Sequence, residues 1–370
     1  MEQRFEDKTL REIIVVNKID FLIYTKGEKN MKKVLLVLMT MVLLTACGGS
    51  KEEKNELYLF NWSDYIPDEV VKDFEAETGI KVITDYYSSN EEMYAKVKAG
   101  GAGYDIVVPS TDYAEIMMKQ DMLEKLDKSK LPNMSQLNEE LASKITFDKD
   151  HDYVVPYAVG ATGIAVNTKY VKDYEKSFDI YNREDLKNKM TLLDDMREVF
   201  TSALIIAGHS PETTDPSELA DAKNIILGWK KNILKFDTES FGKGFANEEY
   251  WVVHGYYENI VSHLTDEQAE NVDFFLPSAG AQMYIDSMTI LKGAKNADNA
   301  HTFINYIHRP EVYVQIIDWL ETPSINTGAA AIRQTEPVYT VEELRNANLM
   351  TDLGEALAPQ SEAWNEVLAQ

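Results

Sequence analysis

Four short segments gather acids beside aromatic rings: Asn61-Trp62-Ser63-Asp64-Tyr65, Pro109-Ser110-Thr111-Asp112-Tyr113, Asp194-Asp195-Met196-Arg197-Glu198 and Tyr284-Ile285-Asp286-Ser287. Each supplies a carboxylate, and three supply a ring as well. Carboxylates accept charge-assisted hydrogen bonds from ammonium groups, and Trp or Tyr faces attract the same charge by about 0.5–2 kcal/mol. The combination suits an organic cation whose methylene spacers the rings would cover. Tyr284 and Asp286 are two apart, so on a strand they share a face. Asp195 and Glu198, three apart at a helix start, also share one. Each group has a purely structural use too. Asp195 and Glu198 would make a capping box, and Ser110 or Asp112 would cap the helix after Val108. Trp62 would pack in a core, and Tyr65, before Pro67, would staple a helix. Asp286 is the hardest to place without a ligand, because a carboxylate in an otherwise apolar strand is costly to bury unpaired.

Other chemistries lack their residues. The six His include no pair at the i, i+4 spacing that puts two imidazoles on one helical face, so no metal is expected. Gly100-Gly101-Ala102-Gly103 precedes a strand, whereas phosphate-cradling glycines follow one. No Gly-x-Ser-x-Gly occurs, and the single Cys offers no nucleophile, so neither catalysis nor a cofactor is expected. With 37 basic against 62 acidic side chains the formal charge is −25, which argues against nucleic acid as a partner and leaves a cationic ligand open.

The elements that must position these residues alternate. A length of 370 residues suggests two domains. A buried strand over 57–60 precedes a helix opened by Pro67-Asp68-Glu69 and ended by Gly79. Strand 80–87, a helix capped by Asn90 and running to about Lys98, and strand 105–108 follow, giving βαβαβ and hence a parallel sheet wrapped by helices. The second half reads as strand 191–193, a helix with Met196, Val199, Phe200 and Ala203 on one face, and a helix opened by Asp215-Pro216-Ser217-Glu218. Strands 272–276 and 282–291 and helices 297–307 and 311–320 complete it. In open parallel sheets ligands bind beyond the carboxyl ends of strands, which is where the four acidic segments fall.

Residues 31–46 read as a signal peptide: two lysines, then an apolar run from Val34 to Leu44 that is too short for the roughly 20 residues a bilayer span needs. Leu44-Thr45-Ala46-Cys47 resembles the lipobox of bacterial lipoproteins, in which the thiol is acylated and the chain cut before it. Cys47 and the linker to 55 would then tether the protein to a membrane. Residues 1–30 place 12 charges ahead of this signal and are expected to be a mis-assigned extension, with Met31 the start. The chain from Cys47 loses 8 basic and 6 acidic side chains and carries −27.

The stretches LYLFNWSDYIPDEVVKDFEAETGIKV, YDIVVPSTDYAE, LPNMSQL, VVPYAVGATGIAVN, LLDDMREVF and YIDSMTILKGAKNADNAHTFINYIHRPEV resemble the spermidine/putrescine-binding proteins of bacterial polyamine ABC transporters, from about Glu56 to about Gly354. The resemblance implies an α/β, two-lobe, type II periplasmic-binding-protein-like fold with its ligand cleft between lobes. Lobe 1 would take 56–160 and about 287–322, and lobe 2 would take 161–286 and about 323–370. It also implies a monomeric, extracytoplasmic carrier that passes a polyamine to a permease and its ATPase. Carried over, the ligand contacts fall on Trp62, Ser63, Asp64, Tyr65 and Ser110, on Asp195 and Glu198 for a terminal amine with Met196 and Arg197 between them, and on Asp286 for the inner amine, with Tyr284 where the family has Trp. His254, Asp112, Thr322 and Met350 stand where it has Trp, Tyr, Tyr and Gln. A pocket-lining His254 would have to be neutral, so acid should weaken binding. A different cargo on the same fold, such as an amino acid, an iron complex or thiamine, and a lipid-anchored sensor without transport are the alternatives. An anionic cargo would need cations in these loops, where Arg197 is the candidate.

Overall fold

The computed structural model describes residues 55–63, 65–100 and 103–370; the segment 1–54, with Cys47, and Asp64 lie outside them. Two sheets carry the described chain. In the first, β1 (Glu56–Trp62) runs parallel to β2 (Lys81–Tyr87) and to β3 (Ile106–Val107). Helix α1 (Asp68–Thr78) buries Val70 and Phe74 against this sheet and stops at Gly79, whose φ of 69° suits a residue without Cβ. Helix α2 (Asn90–Lys98) starts one residue earlier than expected, because Ser89 rather than Asn90 is the cap and accepts from the Glu92 amide. Helix α3 (Thr111–Lys119) follows β3 directly.

The chain then builds β4 (Val154–Ala161), passes Thr162, and enters the second sheet as β5 (Gly163–Asn167). There β6 (Met190–Leu192) runs parallel to β7 (Lys235–Phe236) and β8 (Val252–Gly255), and β5 pairs antiparallel with β8 and β9 (Val272–Phe275). Helices α4 (Met196–Ile206) and α5 (Pro216–Lys230) pack on each other and share one core with this sheet. Asp215 caps α5 by accepting from the Ser217 amide. Phe200, Ala203, Ile226 and Trp229 are buried in the second core.

The return crossing leads to β10 (Gln282–Ile290), which pairs antiparallel with β4 and β3 and parallel with β11 (Asn348–Leu349). Thr162 and Gln282 meet where the two crossings run side by side, through a 3.0 Å backbone hydrogen bond. The boundaries differ from those expected. The 286/287 cut falls inside β10, which stays whole in the first sheet because Met283 and Ile285 point into the first core. Ile325, Ala329, Tyr339 and Leu344 belong to that core as well, and only the terminal helix Leu357–Ala369 returns to the second, through Trp364 and Val367.

Candidate ligand-binding site

Asp286 lies on the first-sheet side, in the middle of β10 opposite Ala158, where the register with β4 shifts before Ser287. Such irregularities re-aim a side chain. Its carboxylate is 1% exposed. Oδ2 accepts from the Tyr65 hydroxyl at 2.5 Å, while Oδ1 makes no hydrogen bond among the described residues. Burial pushes this carboxyl up to about 7; the Ser110 and Tyr65 hydroxyls pull it down, and the charges of Asp112 and Glu258 add to the rise. Tyr65 is held by the Tyr157 hydroxyl, which donates to its carbonyl at 2.5 Å. The Trp62 ring lies 6.2 Å from Tyr65 and 4.6 Å from Tyr87, and its Nε1 donates to the Val108 carbonyl at 2.9 Å. Trp62 thus packs partly on the core and partly faces outward. Tyr284, on the same strand face as Asp286, sits over Gly160, where a Cβ would stand 2.1 Å from its hydroxyl oxygen.

The second-sheet side starts at the head of α4. Asp195 caps the helix, accepting from the Arg197 and Glu198 amides at 2.8 and 3.3 Å. The expected box does not close: Glu198 turns inward, is 1% exposed, and accepts from the Tyr256 hydroxyl at 3.3 Å through Oε1, leaving Oε2 without a partner. Burial, reinforced by the Asp195 charge, pushes Glu198 up to about 8. Burial also raises Asp195, against the pull of the helix amides. The Tyr256 ring lies 6.2 Å from that of Tyr284, so the two walls meet there.

Arg197 joins the walls a second time, pairing with Asp112 in α3. Burial lifts Asp112 to about 6 in spite of that guanidinium. Asp112 and Ser110 do not cap α3 with their side chains, although Ser110 occupies the cap position. Thr111 instead ties the helix to β10, donating to the Ile285 carbonyl at 2.9 Å and accepting from its amide at 3.2 Å.

The remaining candidates are more scattered. Ser63 is exposed, and Met196 packs partly on the second core. Met350 hydrogen-bonds by its amide to the Met283 carbonyl at 2.9 Å, one residue from Tyr284, and Thr322 has a buried hydroxyl without a partner. The acid sensitivity expected of His254 is corrected. Its ring is 1% exposed and lies edge-on to Phe178 at 5.3 Å, and burial lowers it to about 3, so it stays neutral through the physiological range. Tyr157, Tyr256 and Glu258 were missed. The last two follow β8, whose two valines run directly into His254 and Gly255, so the sequence marks no strand end just before them.

Among the described residues no group of three or more His, Cys, Asp or Glu could hold a metal ion. The site is a carboxylate-rich cleft walled by tyrosines and a tryptophan.

Comparison with known proteins agrees with this architecture. Over 327 residues the chain is 35% identical to the spermidine/putrescine-binding periplasmic protein of Escherichia coli, covering 86% of this chain and 93% of the relative. It is 38% identical over 288 residues to the putrescine/cadaverine-binding protein of Pseudomonas aeruginosa, covering 75% and 80%. The crystal structure of the TpPotD lipoprotein of Treponema pallidum superposes with a TM-score of 0.81 at 40% identity, covering 84% of this chain and 99% of that one. The fold is that of the type II periplasmic binding proteins. Residues 69–345 match the family model of the bacterial extracellular solute-binding proteins, and the chain belongs to that family.

Proposed function

We propose that this protein captures a polyamine between its two sheets and delivers it to an ABC permease driven by an ATPase. The observation that carries this is the pair of buried carboxyls, Asp286 and Glu198, each with one oxygen that makes no hydrogen bond among the described residues and has only a nearby hydroxyl, of Ser110 and Thr162 respectively, to act on it. A buried unpaired carboxylate is costly, and an ammonium supplies both the charge and the hydrogen bonds it lacks. Trp62, Tyr65, Tyr256 and Tyr284 offer faces to the methylenes between ammonium groups. Relatives named for spermidine, putrescine and cadaverine support the same ligand class. Arg197, the candidate for an anionic cargo, is engaged by Asp112, which speaks against such a ligand. The protein acts by binding rather than catalysis, as a monomer outside the cytoplasm. Cys47 is acylated and holds it on a membrane, with 31–46 removed as signal and 1–30 not part of the natural product.

Calorimetric titration of the purified protein with putrescine, spermidine and spermine tests the ligand, with Asp286→Asn as control. Saturable binding that this variant loses is expected; no heat with any amine would end the polyamine assignment. Detergent-phase partitioning tests the anchor. Cys47→Ala should move the protein to the aqueous phase, and unchanged partitioning would exclude acylation.

A further inference from the structure

Neighbouring residues at the head of α4 reach different groups. Glu198 accepts from Tyr256, whose ring meets that of Tyr284 in β10 at 6.2 Å. Arg197 instead reaches α3: its Nη1 donates to Asp112 Oδ2, and its guanidinium lies 5.9 Å from the centre of the Tyr113 ring. Both ends of this pair are anchored. The Arg197 amide donates to the Asp195 carboxylate at 2.8 Å, and Val199 and Phe200 root α4 in the second core. On the other wall, Ala114 roots α3 in the first core, and the Thr111 hydroxyl holds both the amide and the carbonyl of Ile285, the residue before Asp286. Moving the walls apart therefore separates Arg197 from Asp112, because each travels with its own core. No other ion pair between described helices joins the two cores. The pair is shielded as well, with 8% of the Asp112 side chain and 20% of the Arg197 side chain exposed. Removing one partner leaves the other charge uncompensated where the walls meet, but freely hydrated once they part.

We propose that Asp112 and Arg197 form a latch that draws the two walls together with or without ligand and lengthens the stay of any ligand captured between them. The inference rests on the reading of this space as a ligand cleft, but not on which ligand fills it. Buried carboxylates without a cation resist closure, whereas the latch favours it, so the two together set the closed population. The pair forms as the walls meet, after the ligand has entered, and must break before the ligand leaves. It acts on dissociation and leaves association nearly untouched. Arg197 and Asp112 are positioning residues in this scheme, holding the walls without touching ligand.

Two variants test the latch, with circular dichroism confirming that each is folded: Asp112→Asn, which keeps the shape and removes the charge, and Arg197→Lys, which keeps the charge. Stopped-flow tryptophan fluorescence follows putrescine and spermidine at one pH and ionic strength. Asp112→Asn should speed dissociation of both amines at least about tenfold with association within about twofold of wild type, and Arg197→Lys should stay within about threefold. Unchanged dissociation would overturn the latch. So would a loss confined to one amine, which would make the pair a ligand contact. Small-angle X-ray scattering of the ligand-free proteins needs no amine: Asp112→Asn should have a larger radius of gyration than wild type, and equal radii would overturn the latch. A wild-type protein that binds neither amine would end the polyamine assignment, while the scattering comparison would still decide the latch.

Discussion

Protons on Asp286 and Glu198 should set the pH dependence of ligand binding. Burial holds these carboxyls at about 7 and about 8 in the ligand-free protein. An ammonium beside each favours the charged form and draws both well below neutrality, so binding at pH 7 must expel the protons they carry. A carboxyl at about 8 is about nine-tenths protonated at pH 7 and one at about 7 is half protonated, which gives about 1.4 protons released per ligand. The same relation makes affinity fall by about a thousandfold between pH 8.5 and pH 6, and by about 20-fold if each carboxyl sat one unit lower. The terminal ammoniums of a diamine, ordinarily titrating at about 10, keep their charge across this window, so putrescine is the ligand for this series, and His254, held at about 3, stays neutral. Titration calorimetry at pH 7 in phosphate and in Tris reads the proton count directly, because the two buffers absorb protons with different heats. A count near zero, with affinity flat from pH 6 to 8.5, would refute the placement of cations against these two carboxyls.

Three further outcomes follow from the same geometry. The elevated Glu198 contributes stability below its unfolded value of about 4.5 and loses it as pH rises through about 8, so Glu198→Gln should raise the ligand-free unfolding temperature by several degrees at pH 8.5 and little at pH 5; differential scanning calorimetry showing a lower temperature at pH 8.5 would contradict this. Gly160→Ala drives a methyl group into the Tyr284 ring and should weaken ligand about tenfold by swinging the ring aside, whereas unchanged affinity in the same calorimetric assay would remove Tyr284 from the ligand wall. Asp112→Asn and Arg197→Ala should be coupled by about 1–3 kcal/mol in denaturant unfolding, since losing Arg197 alone leaves a buried carboxylate uncompensated; effects that simply add would show that the pair contributes nothing.

How much of this was legible in the sequence depended on how local the signal was. Asp286 stood out because one acid interrupts an apolar strand, and Gly79 and Asp215 ended and opened helices where residue type alone decides. The contact from Tyr65 to Asp286 spans 221 residues, and no spacing rule reaches that far. Asp195 and Glu198 carried two readings that local spacing could not separate. The structure divides them: one residue caps, the other faces Tyr256. Strands β4 and β5 were invisible as strands because every residue in them is buried, which erases the alternation that marks a half-exposed strand. The lobe boundary was misplaced for a related reason. Nothing in the apolar run of β10 shows that its partner is a strand whose paired residues lie 122 to 135 positions earlier rather than the elements just before it.

Net charge said least about the site, and the environment of each acid says most. At physiological salt, screening over about 8 Å reduces a distant surface carboxylate to a weak steering force. Exposed or half-buried acids with a basic partner, such as Glu77 beside Arg309, Asp85 beside Lys96 and Asp152 beside Lys125 and Lys128, are pulled below their ordinary values. Among the described residues the carboxyls pushed upward are Asp112, Asp195, Glu198, Glu258 and Asp286, and the first three and Asp286 lie in the segments that meet between the two sheets. A fold selected for stability alone would have little reason to gather acids where water is scarce and to leave one oxygen each of Asp286 and Glu198 without a partner. Held there, they disfavour the closed, ligand-free state by the amount that a cation can return on binding, so the same carboxylates that cost stability would couple closure to capture.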